Sequence, residues 1–109
     1  MHFTPLERDV LDWIATRCDD AAIRAQLRAV EPVSREHTGV GAFLGLHVPG
    51  DVPSVPLRKA PVDPHIASPD LDDAGAGCVL FFNEGRASLL ELYAFGAALP
   101  ETLNAWTLS

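Results

Sequence analysis

Hydrophobic and polar positions change their period along the chain, from a helical pattern at the N-terminus to strand patterns further on. The first apolar residues recur at helical spacing, with charged residues on the opposite side; they are Leu6, Val10, Trp13 and Ile14. Thr4, Pro5 and Glu7 form the signature of a capping box with proline at the first helical position. The pattern predicts a helix from Pro5 to Arg17.

A second helical stripe, formed by Ile23, Leu27 and Val30, follows after only a few residues. Asp19 and Asp20 are typical of a helix end followed by a new cap, and Pro32 stops the pattern. We therefore expect a second helix from Ala21 to about Val30. Two helices joined by so short a connection form an antiparallel pair, here within residues 1–31.

Residues 33–48 have an extended pattern, with apolar side chains alternating over the second half of the segment. Gly39 and Gly41 interrupt this run, and they indicate either a bulge in one bent strand or a turn between two strands. We favour two strands, near residues 34–38 and 40–48.

The strongest strand signal lies in residues 75–96, where Cys78 to Phe82 form a short, wholly apolar run. Asn83-Glu84-Gly85 supplies turn chemistry and predicts a three-residue hairpin loop with a bulge. The residues from Arg86 to Phe95 then form the second strand of the hairpin.

Two further segments complete a single α+β domain. Residues 49–74 contain six of the nine prolines and have no period, so they predict a long irregular connection with at most a short edge strand. Such a loop either covers the sheet or acts as a lid or partner-binding segment. Pro100, Leu103 and Trp106 predict a short C-terminal helix over residues 99–106. The fold class is therefore two N-terminal helices packed on one face of an antiparallel sheet of about four strands.

Charge and composition exclude several partners. The 109 residues carry a net charge of -7 and no basic patch, which disfavours nucleic acid. The N-terminus has no secretion signal and no apolar run could span a bilayer, so we expect a cytoplasmic protein with no membrane partner. In that compartment its two cysteines stay reduced.

Glu91 is the most interesting candidate for chemistry, because strand alternation gives it the same face as Tyr93. A carboxylate among apolar neighbours has a raised pKa and can act as an acid or a base. His37 and His47 lie on predicted strands and could converge with Glu91, and two imidazoles with a carboxylate are a plausible set of metal ligands. The structural alternative is that Arg35 or a backbone amide pairs with Glu91, or that this face is open to water.

The remaining motifs do not predict catalysis. Cys78 resembles a small buried hydrophobe, and Ser88 lacks the context of a hydrolase nucleophile. Metal motifs with tight spacing are absent, and Asp70, Asp72 and Asp73 lack the spacing of a calcium-binding loop. We predict no catalytic residue, no metal and no cofactor.

The chain resembles a family of small uncharacterised bacterial proteins. The resemblance rests on Thr38-Gly39-Val40-Gly41-Ala42-Phe43, on the hairpin from Gly75 to Glu91 and on the ending from Tyr93 to Glu101. The chain departs from that pattern at Ala42 and in the order Ala94-Phe95-Gly96. The resemblance implies a small bacterial α+β protein and carries no site residues with it.

Three functions fit these observations. The first is a non-enzymatic protein-interaction module, or a self-associating one that forms a homodimer. The second is a small-molecule binding protein or weak hydrolase with a site around Glu91, Tyr93, His37, His47 and Arg35. The third is an acidic immunity-type inhibitor of a basic toxin, which requires the carboxylates of Asp63, Asp70, Asp72 and Asp73 to form one exposed patch.

Overall fold

A computed structural model describes residues 1–56, 61–96 and 98–109. Within these ranges the chain forms two helices and one six-stranded sheet, with strand order β1-β2-β5-β4-β3-β6 and antiparallel pairing throughout. The elements are α1 (Pro5–Arg17), α2 (Ala21–Ala29), β1 (Glu31–His37), β2 (Gly41–His47), β3 (Ile66–Ala67), β4 (Ala76–Asn83), β5 (Arg86–Ala94) and β6 (Thr107–Leu108). The α+β class with N-terminal helices is confirmed, but the sheet has six strands rather than about four.

Both helices begin where side chains satisfy their free backbone amides. The hydroxyl of Thr4 accepts from the Glu7 N–H, and the Glu7 carboxylate accepts from the Thr4 N–H, so the capping box is complete. Asp20 caps α2 by accepting from the amides of Ala22 and Ile23. These local bonds explain why both helix starts could be predicted from sequence.

The helices cover one face of the sheet. Apolar side chains of α1 and α2 form one buried cluster with inward-facing side chains of the central strands; the strand members include Ala42, Leu44, Leu46, Cys78, Leu80, Leu90 and Leu92. The edge strand β1 carries Glu31, Pro32, Arg35 and Glu36, and such residues disfavour pairing with another chain. No helix in the described ranges is long and apolar enough to cross a membrane.

The hairpin turn is tighter than predicted. Asn83 pairs with Arg86, so the loop contains only Glu84 and Gly85, and the predicted three-residue loop is wrong. Both loop residues have positive φ, 52° and 76°, as a type I′ turn requires. The register shifts instead between Phe81 and Phe82 of β4, opposite Ser88, which is the extra unpaired residue on β5.

The predicted C-terminal helix is also wrong, because residues 98–106 form no helix. An isolated turn or two of helix is marginal in water, and this segment makes long-range hydrogen bonds instead. The Leu99 N–H donates to the Gly39 carbonyl, and the Trp106 indole N–H donates to Asp9.

β6 then pairs with β3, which places β3 between β4 and β6. The proline-rich segment 49–74 therefore contributes an interior strand rather than an edge strand. Its residues 57–60 lie outside the described part of the chain.

Candidate functional site

The face of the sheet turned away from the helices is the first candidate site. Strand alternation and register place on it the side chains of Ser34, Glu36, Phe43, His47, Val79, Phe81, Leu89, Glu91 and Tyr93. We call this surface the open sheet face. Phe43 is 36% exposed and Phe81 is 44% exposed, although both are large apolar residues. The face therefore presents apolar area to solvent.

Glu91 lies in an apolar row of the open sheet face. Its cross-strand neighbours are Phe43 on β2 and Val79 on β4, and Phe43 is paired in turn with Glu36 on β1. Directly opposed side chains have Cβ atoms about 5 Å apart, so these residues contact one another. Two carboxylates thus stand beside apolar side chains that can be buried by a partner.

An aromatic cluster forms one end of the open sheet face. The Tyr93 ring lies so close to Gly77 that a Cβ there would be 2.7 Å from it. The Phe95 ring meets Tyr93 edge to face at a centroid distance of 5.3 Å, and it stacks on His65 at 6.0 Å. Edge-to-face pairs of this kind stabilise the arrangement beyond area burial.

The five predicted ligand-binding residues are divided between the two faces of the sheet. Glu91, Tyr93 and His47 belong to the open sheet face. Arg35 pairs with Leu44 and His37 with Ala42, whose side chains are both buried on the helix side. His37 therefore does not converge with Glu91, and Arg35 cannot pair with it across the sheet. His47 shares the face but lies four positions along β2 from Phe43, the partner of Glu91, which is roughly 13 Å away. The sequence identified the strands without their register, and register decides the face.

Arg35 and His37 instead line a pocket on the helix side of the sheet. The pocket has a volume of about 280 Å³ and lies between the first turn of α1, the end of β1 and residues 99–106. Its walls are mainly apolar and include Leu6, Leu92, Leu99, Leu103 and Trp106. We call it the helix-side pocket.

An ion pair between the buried Glu7 carboxylate and the partly exposed Arg35 guanidinium forms the polar wall of the helix-side pocket. Arg35 Nε donates to Glu7 Oε2 at 2.8 Å, and Arg35 Nη2 donates to Glu7 Oε1 at 2.6 Å. Nη2 also donates to the His2 carbonyl at 2.9 Å. The hydrogen bond to Glu7 raises the pKa of Arg35, against the opposite effect of burial. The guanidinium and the carboxylate neutralise each other in a bidentate pair.

His37 adds a hydrogen-bond donor to the same wall. Its Nδ1 accepts from the Gly39 N–H at 3.2 Å, so the proton of the neutral ring resides on Nε2. Nε2 is inaccessible to solvent and has no hydrogen-bond partner among the described residues. An unpaired buried donor is costly, and an acceptor that reached Nε2 after a turn of the ring toward the pocket would relieve that cost.

A buried cysteine and a carboxylate lie close together on the helix side of β4. The Cys78 thiol donates to the Pro64 carbonyl at 3.5 Å. Burial raises its pKa to about 12, and the nearby Asp63 carboxylate adds to the effect. Burial also raises the pKa of Asp63, which the backbone amide of Leu80 partly offsets. A thiol that stays protonated is a poor nucleophile.

The acidic residues singled out from the sequence do not form one exposed patch. Asp70, Asp72 and Asp73 are exposed, but Asp63 is only partly exposed and its Oδ1 is buried. Asp70 also accepts from the Asn104 N–H at 2.7 Å, so its carboxylate is already hydrogen-bonded within the fold. The observation that would favour an immunity-type inhibitor is therefore missing.

Sequence reasoning missed most of the helix-side pocket. Glu7 was recognised only as a capping residue, and its second role toward Arg35 has no local signal because the two residues are 28 positions apart. Leu99, Leu103 and Trp106 were assigned to a helix that does not form. Only the charge of Glu7 at an otherwise buried helical position could have indicated a distant partner.

Comparison with family models, with curated proteins and with solved structures found no match for this chain. The resemblance to small bacterial proteins stays a prediction, and the function of the chain is inferred from the two surfaces described above.

Proposed function

We propose that this protein is a non-enzymatic interaction module that binds a basic protein partner through its open sheet face. The observation that carries the proposal is the row in which Phe43, Glu91 and Val79 lie side by side on three adjacent strands. Large apolar side chains that are exposed, such as Phe43, contribute binding energy when a partner covers them.

The dimensions of the open sheet face suit a protein rather than a small molecule. Four neighbouring strands of seven to nine residues, namely β1, β2, β5 and β4, span roughly 25 by 20 Å. A surface of that order is what one partner contributes to a small interface. Small ligands bind in concave sites that enclose most of their surface, whereas this face spreads its side chains over four strands.

The charge of the face favours a basic partner over a second copy of the chain. Glu31, Glu36 and Glu91 are its carboxylates. The one arginine that register places on this side among the described residues is Arg86 at the hairpin end, and its guanidinium already donates to the carbonyls of Val48, Pro49 and Val52. In a face-to-face dimer these carboxylates would be buried without a cation, which is costly. The net charge of -7 repels a second copy as well. A partner with lysine or arginine beside an apolar patch avoids both costs.

Photo-crosslinking in the cells that naturally make this protein tests the proposal. We expect Phe81→p-benzoylphenylalanine to crosslink one partner, whereas the same substitution at Val62, an exposed residue outside the sheet, does not. The purified partner should then bind the wild-type protein with an affinity that falls as salt rises.

Variants of the face identify the residues responsible. Phe43→Ser should weaken binding of the purified partner at least tenfold, Glu91→Gln should lower the association rate, and Val62→Ser should change neither. Equal crosslinking from positions 81 and 62 would overturn the proposal. Crosslinking only to a second copy of the chain would contradict the basic partner and would indicate self-association through this face.

A further inference from the structure

The helix-side pocket is closed by a segment that is fixed at both ends. Leu99 donates to the Gly39 carbonyl on one side, and Asn104 donates to Asp70 on the other. Between these bonds the chain passes over the pocket, and Leu103 points into the buried core cluster. The cavity is therefore part of the folded architecture, with a volume close to the lower end of ligand pockets.

Two features of the pocket wall define what could occupy it. The apolar side chains of Leu92, Leu99 and Trp106 favour a hydrocarbon or aromatic body. The His37 Nε2–H is a donor without an acceptor, so it favours a ligand that brings an oxygen acceptor.

We propose that the helix-side pocket binds a small molecule with an apolar body and a single carbonyl or carboxylate oxygen, which accepts from His37 Nε2 once the imidazole ring has turned this atom toward the cavity. Arg35 is already neutralised by Glu7, so the wall does not provide the excess positive charge that a phosphate or another multiply charged anion would need. Because this site lies on the opposite side of the sheet from the open sheet face, the two surfaces can be occupied independently.

Three probes of equal chain length test the chemistry on the wild-type protein. Octanamide carries a neutral carbonyl, octanoate a carboxylate, and octylamine a cationic donor without an acceptor. We expect octanamide and octanoate to shift the methyl NMR signals of Leu92, Leu99 and Leu103. Octylamine should bind at least tenfold more weakly, and none of the probes should shift Leu89 on the open sheet face.

Variants on the two faces of the sheet separate a specific site from general hydrophobic binding. His37→Leu should weaken octanamide binding about tenfold, and His37→Gln, which keeps an N–H donor, should restore most of it. His47→Leu, on the open sheet face, is the matched control and should leave binding unchanged. Equal binding of all three probes, unchanged binding to His37→Leu, or shifts centred on Leu89 would overturn the proposal. Octanoate binding tenfold tighter than octanamide would identify an acid as the ligand, and equal affinities would identify a neutral carbonyl compound.

Discussion

Glu7 links the local structure of a helix to the tertiary structure around it. Its side chain is only 4% exposed, yet it accepts from the Thr4 N–H and makes two bonds to Arg35. A buried carboxylate is tolerated only when it is paired and hydrogen-bonded in this way. One residue therefore fixes the start of α1, the position of β1 and a wall of the helix-side pocket.

Removal of the Glu7 charge should destabilise the protein more than removal of an exposed charge. We expect Glu7→Gln to lower the free energy of unfolding by about 1–3 kcal/mol, because Arg35 loses its ionic partner. Asp12→Asn is the control, since the Arg8–Asp12 pair is exposed and such pairs contribute less than about 1 kcal/mol. Urea titrations of the two variants measure the difference, and equal losses would contradict the role assigned to Glu7.

The Cys78 thiol should make stability fall at alkaline pH. Its pKa is about 12 in the folded chain, whereas an exposed thiol ionises near 9.0. Between these values the unfolded chain binds fewer protons than the folded chain, so the unfolding free energy decreases as pH rises, by at most about 1.4 kcal/mol per pH unit. We expect Cys78→Ala to remove this part of the decrease in urea titrations across that interval. Cys18→Ala should keep it, and parallel curves for the wild type and Cys78→Ala would exclude this contribution.

At the scale of elements, Gln26 holds α2 against the hairpin. Its amide is fully buried, and Nε2 donates to the carbonyls of Pro53 and Gly85 at 2.9 and 2.8 Å. Its Oε1 accepts from the Ala87 N–H at 2.9 Å. A helix, a loop, the hairpin turn and the start of β5 thus meet at one polar side chain.

Replacement of Gln26 by an apolar residue of similar size should remove the hydrogen bonds between these elements and lower the free energy of unfolding. We expect Gln26→Met to cost about 3 kcal/mol, because it leaves the buried Ala87 N–H without an acceptor. Ser88→Ala removes one partly exposed bond to the Phe81 carbonyl and should cost less than about 1 kcal/mol. Thermal or urea unfolding gives the comparison, and a cost for Gln26→Met no greater than that for Ser88→Ala would contradict it.

The hairpin turn requires glycine for two reasons. Gly85 has a φ of 76°, and a Cβ at this position would collide with the Val55 carbonyl oxygen. We expect Gly85→Ala to lower the free energy of unfolding by at least about 1 kcal/mol. Gly50→Ala is the control, because no atom of the described residues lies within 4 Å of its added Cβ. Equal unfolding midpoints for the two variants in urea would show that the turn does not require glycine at position 85.

At the scale of the whole molecule, Glu36 and Glu91, the carboxylates beside Phe43 on the open sheet face, should keep copies of the chain apart. We expect the wild-type protein to sediment as an 11.7 kDa monomer at low salt, and Glu36→Leu/Glu91→Leu to form dimers because the face becomes continuously apolar. Asp51→Leu/Asp73→Leu, which removes two exposed carboxylates outside the sheet, should stay monomeric. Sedimentation velocity distinguishes these states, and a wild-type dimer would contradict the argument.

Features encoded over a few residues were predicted well, and features that depend on distant partners were not. The capping box at Thr4 and the spacing of Leu6 and Val10 located α1, because these signals act within one or two helical turns. The number of strands in the sheet was underestimated. The two strands that were missed, β3 and β6, have two residues each, and they form only because β3 pairs with both β4 and β6. The same applies to the candidate site. The strand that carries Arg35 and His37 was recognised from the sequence, but its register was not, and register decides on which face these side chains lie.

The sequence by itself determined the two helices, the hairpin and the acidic character of the molecule, because helical period, cap chemistry and charge are local or additive quantities. Only the tertiary structure decided that Arg35 pairs with Glu7, that His37 and His47 lie on opposite faces and that residues 99–106 close a pocket. Strand register and chain crossings bring together residues far apart in sequence. A shift of one residue in register exchanges the two faces, and no pattern within a single strand specifies which partner it will meet.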